Sequence, residues 1–144
     1  YRPLNNIFLN KVMERIRKSY ICKNQIKKGV SGSREMLKAF KSGSSIAIMI
    51  DQRVSEGKKI PFFNKMALTT TIPAQLVKRF NCKIIPVHIE RYKNYYFKAT
   101  FHDPLEFSDT NNLDDITLHL NAWLEKMIIK NPTQWIWTHK RWKI

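Results

Sequence analysis

At 144 residues the chain has the size of one domain, and its 43% hydrophobic and 12% aromatic residues can build a core, which excludes a disordered polymer. Its 26 Lys and Arg against 11 Asp and Glu give a formal net charge of +15, a balance that implies a polyanionic partner such as nucleic acid, anionic lipid or an acidic carrier. Two cysteines, Cys22 and Cys82, are too few for a disulfide scaffold and fit a reducing compartment, and no apolar run reaches the ~18 residues of a membrane span.

In chain order, Tyr1-Arg2-Pro3-Leu4 opens without an initiator Met and reads as a point inside a longer chain, with any anchor upstream. From Asn5 to Tyr20, the residues Ile7, Phe8, Val12, Ile16 and Tyr20 form one stripe and predict an amphipathic helix. Ser33 is the expected cap of a second helix carrying Met36, Leu37 and Phe40, closed by Gly43. Ser45 to Ile50 reads as a buried strand ending at Asp51, and Gln52 to Thr69 as a long connection around Pro61-Phe62-Phe63. Ile72-Pro73 opens a third helix that buries Leu76, Val77 and Phe80. Lys83–Tyr92 and Tyr95–His102 read as antiparallel strands joined by Lys93-Asn94. The longest helix, capped by Asp114 or a neighbour, repeats Ile116, Leu120, Trp123, Leu124, Met127 and Ile128 and stops at Pro132. Helices alternating with buried strands predict an α/β fold with a mixed, mostly parallel sheet flanked by helices and an antiparallel edge.

The chemistry-bearing motifs are few. There is no phosphate-binding glycine loop, no dinucleotide fingerprint, no nucleophile elbow and no metal-ligand spacing. None of His88, His102, His119 and His139 stands out as a catalyst. Asp51 and Gln52 follow an apolar segment, where α/β sheets place ligand-binding residues, and Asp51 could orient an acceptor sugar or a neighbouring arginine such as Arg53. Thr69, Thr70 and Thr71 precede a helix start, where hydroxyls and free N–H groups make an anion pocket. Pro61-Phe62-Phe63 could line an acyl groove, and the Trp-rich closing segment suits a core or a membrane interface.

Four blocks in order carry a resemblance: Tyr1-Arg2-Pro3-Leu4-Asn5-Asn6; Ile50-Asp51-Gln52; Pro61-Phe62-Phe63 followed by Ala67-Leu68-Thr69-Thr70-Thr71 and Pro73-Ala74; and Pro132-Thr133-Gln134-Trp135-Ile136-Trp137-Thr138-His139-Lys140-Arg141-Trp142-Lys143. Along essentially its whole length the chain resembles the bacterial lipid A biosynthesis acyltransferases, as the C-terminal portion (residues 1–144) of a single acyltransferase domain. The resemblance implies a fold similar to that of glycerolipid acyltransferases. It also implies transfer of a fatty acyl chain from acyl carrier protein to a lipid A precursor at the cytoplasmic face of the inner membrane, with no cofactor and no metal.

In such enzymes the base is the histidine of a His-x-x-x-x-Asp/Glu motif, its imidazole oriented by the acidic residue. Five positions after the four histidines stand Lys93, Phe107, Leu124 and Ile144, so that motif is expected upstream of Tyr1 and no catalytic residue in this chain, beyond an assisting Asp51. The resemblance makes Arg2 a phosphate-binding cation and places Asn5, Asp51, Gln52, Arg53, Thr69, Thr70 and Thr71 at the substrate site. Two other readings remain: an acyltransferase of the same family acting on another glycolipid, and a basic nucleic-acid-binding module using Tyr95, Tyr96, Trp135 and Trp137 as stacking platforms. Against the latter, the basic residues are dispersed and no nucleic-acid motif is present, so no specific nucleic acid is expected.

Overall fold

The computed structural model describes residues 1 and 3–143, Val30 through its backbone alone. Residues 1–47 and 48–144 form two compact units.

The first unit holds two helices. Helix α1 (Ile7–Tyr20) starts where the Asn6 side chain accepts hydrogen bonds from the N–H groups of Phe8 and Leu9, both at 3.0 Å. Its apolar stripe is present, but no residue of α1 is buried. Helix α2 (Val30–Lys41) begins at Gly29, with φ of 134°, ahead of the Ser33 expected as its cap. The Ser33 hydroxyl donates instead to the Gly29 carbonyl one turn back. Tyr1 is tied to α1 and to the chain ahead of α2. Tyr1 Oη donates to Glu14 Oε1 at 2.6 Å, Asn10 Nδ2 donates to the same oxygen at 2.9 Å, and Lys27 Nζ pairs with it at 3.1 Å. The Arg17 guanidinium lies 4.8 Å from the centre of the Tyr1 ring.

The second unit is built on two antiparallel hairpins and two helices. Strands β1 (Lys58–Phe62) and β2 (Lys65–Thr69) pair from Lys58↔Thr69 to Phe62↔Lys65. Their turn is Phe63-Asn64, with φ of 49° and 58°. Two left-handed residues make a two-residue turn of the kind that matches strand twist. Helix α3 (Ile72–Phe80) carries Pro73 in its first turn and ends on Asn81 in the left-handed conformation. Strands β3 (Val87–Tyr92) and β4 (Tyr96–Phe101) pair from Val87↔Phe101 to Tyr92↔Tyr96 around Lys93-Asn94-Tyr95. Helix α4 (Leu113–Lys130) opens with a capping box between Asn112 and Asp115, and a 3-10 turn, Pro132–Gln134, follows it.

Helix α4 is the spine of this unit. Leu124 and Ile128 pack on Phe62 and Ala67 of the first hairpin. Ile116 and Leu120 pack on Ala74 and Val77 of α3, and Ile50 is half-buried against both groups. Polar clips run alongside: Lys58 Nζ to Asp114 Oδ2 at 2.6 Å, Asn121 Nδ2 to the Pro61 carbonyl at 2.8 Å, and Phe63 N–H to Glu125 Oε1 at 2.7 Å.

Two expectations are corrected. The described sheets are both antiparallel two-stranded hairpins, so the structure is mixed α/β without a mostly parallel sheet. Ser45–Ile50 pairs with nothing as a strand: Ile46, Ile48 and Ile50 are half-buried and the residues between them exposed. The long connection from Gln52 contains a whole hairpin. Its turn has Asn but no glycine, and Pro61 inside β1 masks the strand pattern. Pro61 is tolerated because its carbonyl, not a missing N–H, makes the contact with α4.

The hydrogen bonds from Tyr1, Lys27 and Asn10 hold the Glu14 carboxyl well below its ordinary value, at about 2. A depressed folded-state value gives stability that is present above the unfolded value of about 4.5 and lost as pH falls from there toward 2. Glu14→Gln is therefore expected to lower the melting temperature at pH 7, with the gap to wild type closing between pH 4.5 and 2. A gap that stays constant across that window would show the network does not stabilise the fold.

Candidate functional site

The closing segment folds back onto the Asp51 block, and the anchor is Arg141. Its side chain is 0% exposed although it carries a guanidinium. Nη1 donates to the Leu68 carbonyl and Nη2 to Thr69 Oγ1, each at 2.8 Å, while the group lies 4.8 Å from the Phe62 ring centre. Burial pulls the guanidinium's pKa below its ordinary value, and the Asp51 carboxylate works against that pull. Asp51 is therefore within electrostatic reach of Arg141, an arginine distant from it in sequence. Asp51 Oδ1 and Arg141 Nε are both buried without a hydrogen-bond partner.

The rest of the segment adds a second layer. Arg53 N–H donates to His139 Nε2 at 2.9 Å, and the Arg53 side chain reaches the Lys143 carbonyl and Ser55 Oγ. Trp142 Nε1 donates to the Phe62 carbonyl at 2.9 Å, and the rings of Trp135 and Trp142 lie 6.1 and 5.7 Å from that of Phe62. Phe62 is fully buried at the centre of these rings, so the Pro-Phe-Phe block supplies core; Phe63 is half-buried at its edge, 4.9 Å from Phe62. At Gly57 a Cβ would stand 2.6 Å from the Thr69 carbonyl oxygen, so only glycine lets the chain pass this close to the strand end.

The three threonines have separate tasks. Thr69 is buried, accepts from Arg141, and donates to the Ala67 carbonyl at 3.1 Å. Thr70 Oγ1 accepts from the Ile72 N–H at 3.3 Å, forming the local turn that starts α3. Thr71 occupies the cap position without a side-chain cap bond; its hydroxyl accepts from Gln75 Nε2 at 2.9 Å and is half-exposed. Gln52 is exposed beside Asp51. Thus Asp51, Arg53 and Thr69 are brought together through the closing segment, while Thr70 and Thr71 continue from Thr69 to the start of α3. Asn5 is exposed in the other unit, and Arg2 lies outside the described residues.

The histidines are structural neighbours of other groups. His102 stacks edge-on against Trp123 at 5.2 Å, His119 against Phe107 at 5.5 Å, and His88 lies 3.7 Å from Glu90. Cys82 is half-buried against the α3–α4 cluster, its thiol pushed up by burial, and Cys22 is exposed. No group of three or more His, Cys, Asp or Glu among the described residues could hold a metal, and no described helix is long and apolar enough to cross a membrane. Arg141 is the residue that sequence reasoning missed. Its only signal was position, one of three Lys and Arg residues in the Trp-rich closing block, and nothing in that spacing marks which cation is buried.

The bacterial lipid A biosynthesis acyltransferase family model matches residues 1–144, and the chain belongs to that family. Among curated proteins it is similar to the lipid A biosynthesis palmitoleoyltransferase of Escherichia coli (strain K12) and to a lipid A biosynthesis acyltransferase of Shigella flexneri. Each is 26% identical over 148 residues. The match covers 99% of this chain and 47% of each relative, so the chain spans about half the length of the relatives it matches.

Removing one member of a buried charged arrangement leaves the others unpaired, a loss of about 3–5 kcal/mol. Arg141→Met is expected to destabilise the second unit by about that much in urea unfolding, with Arg141→Lys close behind because one ammonium nitrogen cannot occupy the places of both Nη1 and Nη2. A double-mutant cycle with Asp51→Asn is expected to show a coupling of about 1 kcal/mol. Arg141→Lys within about 0.5 kcal/mol of wild type would remove Arg141 as the anchor.

Proposed function

We propose that this chain forms part of an acyltransferase that moves a fatty acyl chain from acyl carrier protein onto a lipid A precursor, at the cytoplasmic face of the bacterial inner membrane. The observation that carries the reading is the family match from residue 1 to residue 144, which takes in all four blocks. The names of the two relatives, both lipid A biosynthesis acyltransferases, support the acceptor class.

In this reaction an acceptor hydroxyl forms an ester with the acyl carbonyl while the thioester C–S bond breaks. The hydroxyl proton passes to a general base and then to the departing thiolate. We assign the base to chain beyond these 144 residues, since none of the four histidines here has an acidic residue five positions on. The residues present would bind and orient. Arg2 suits a phosphate of the acceptor or of the carrier's pantetheine arm, because its fork of donors matches two phosphate oxygens. Asn5, Asp51 and Gln52 would contact acceptor polar groups, with Arg53 holding the loop beside them. The half-exposed Thr71 hydroxyl offers an anion contact at the start of α3, where Ile72 N–H is already bonded to Thr70 and Pro73 has no N–H, and Thr69 and Thr70 shape that corner. A net charge of +15 suits three anionic partners: membrane phospholipid, acceptor phosphates and an acidic carrier protein.

Two outcomes are expected. The 144-residue chain assayed alone with acyl carrier thioester and lipid A precursor should give no transfer above a no-protein control, because base assistance worth about 10²–10⁴-fold is absent. Transfer by the chain alone would show that it holds a base of its own. In the longer enzyme, Arg2→Lys should lose kcat/KM almost as severely as Arg2→Ala at unchanged melting temperature, since Lys lacks the fork. Near-normal activity of Arg2→Ala would make Arg2 a bystander.

A further inference from the structure

We propose that the β3–β4 hairpin and the segment after α4 form a docking surface for an anionic lipid bilayer; this rests on the membrane reading above and names the surface. The hairpin is held against that segment by a two-way bond, Arg91 N–H to Gln134 Oε1 at 2.7 Å and Gln134 Nε2 to the Arg91 carbonyl at 3.0 Å. Between them lies an open groove of about 810 Å³ whose apolar lining includes Ile89, Phe97 and Ile136.

The composition of this surface is unusual for one that stays in water. Tyr95 is 78% exposed, Phe97 64%, Ile136 67% and Trp137 56%. Tyr92 and Tyr96 pair at the last rung of the ladder on the other face of the hairpin and are exposed as well, so the hairpin end carries aromatic rings on both faces. Large aromatic and aliphatic groups gathered in this way mark an interaction site. Cations are set among them: the Arg91 guanidinium lies 5.6 Å from the Phe97 ring centre and Lys93 Nζ 5.1 Å from that of Tyr92. Tyr and Trp rings with one polar end, interleaved with Arg and Lys, have the chemistry of the membrane–water interface. Lipid acyl chains and headgroups would meet both kinds of group at once.

Other occupants fit less well. Two copies of a chain carrying +15 repel each other, so this basic face is poorly suited to self-association. A nucleic acid would use the tyrosine rings and cations but leave Ile89, Phe97 and Ile136 in contact with water or phosphate.

The test is sedimentation of the protein with vesicles of phosphatidylcholine alone or of phosphatidylcholine with phosphatidylglycerol, at fixed ionic strength. Binding is expected to the anionic vesicles and not to the neutral ones. Lys93→Asn, which suits the left-handed backbone at that residue, should lower the partition coefficient about fivefold. The Tyr95→Ser/Tyr96→Ser double variant should lower it further, and Lys11→Ala in the other unit should leave it within about twofold of wild type. Brominated lipids should quench a fraction of the tryptophan fluorescence that Trp137→Phe removes. Hairpin variants that sediment like wild type, an equal loss in Lys11→Ala, or duplex DNA displacing the protein from anionic vesicles at matched charge would each overturn the proposal. Acyl transfer to detergent-dispersed acceptor by the longer enzyme is measured separately. If the hairpin variants keep that activity, a failed vesicle test removes the surface and leaves the acyltransferase reading standing.

Discussion

A guanidinium sealed inside the second unit constrains everything around it. Arg141 cannot be deprotonated at any ordinary pH, so its charge must be met by oriented acceptors within the core. The Leu68 carbonyl and the Thr69 hydroxyl meet it at the end of β2, the Phe62 face lies against its flat side, and Asp51 supplies the opposing charge. Moving either acceptor leaves a buried donor unsatisfied. Arg141 thus ties the first hairpin, the chain after Ile50 and the closing segment together, alongside the Arg53–His139 and Trp142–Phe62 bonds.

This explains why aromatic residues crowd the same place. Phe62 has the guanidinium and the Trp135 and Trp142 rings around it, and the Trp142 indole N–H satisfies the Phe62 carbonyl. The aromatic rings exclude water from the charge, which strengthens its hydrogen bonds, and the charge gives the aromatic cluster a specific orientation. The Asp51-Gln52 block inherits that rigidity: Arg53 is bonded to His139 through its backbone and to Lys143 through its side chain. Positions that would contact a substrate thus rest on a packed support.

The helices were legible in the sequence because each carries a periodic stripe and a local stop: Asn112 with Asp115 at the start of α4, Pro132 beyond its end, Pro73 at the start of α3. The β3–β4 hairpin was legible too, with the turn one residue longer than expected. The first hairpin was not, since its turn conformation is set by Phe63-Asn64 and reinforced by Glu125 from 62 residues away. The Ser45–Ile50 segment has a strand's composition, but strand identity is a property of pairing, and its neighbours here supply none. At the candidate site the sequence offered an acceptor sugar or a nearby arginine such as Arg53 as partners of Asp51, and it gave no sign of the buried Arg141. The partner that matters is close only after the chain has folded.

The three clips between α4 and the first hairpin also act as a gauge. Asp114, Asn121 and Glu125 lie on one face of the helix, seven and then four residues apart, and they meet Lys58, Pro61 and Phe63 in the same order. From Asp114 to Asn121 the helix rises about 10 Å, and from Lys58 to Pro61 the extended strand covers about 10 Å, with Phe63 following in the turn. Helix and hairpin are commensurate over that span. Adding or removing one residue within either stretch would put the two out of step by roughly 1.5 or 3.3 Å and turn a row of side chains away from its partners. Length variation among related chains should therefore collect in the loops at either end, leaving Lys58–Phe63 and Asp114–Glu125 a fixed number of residues long.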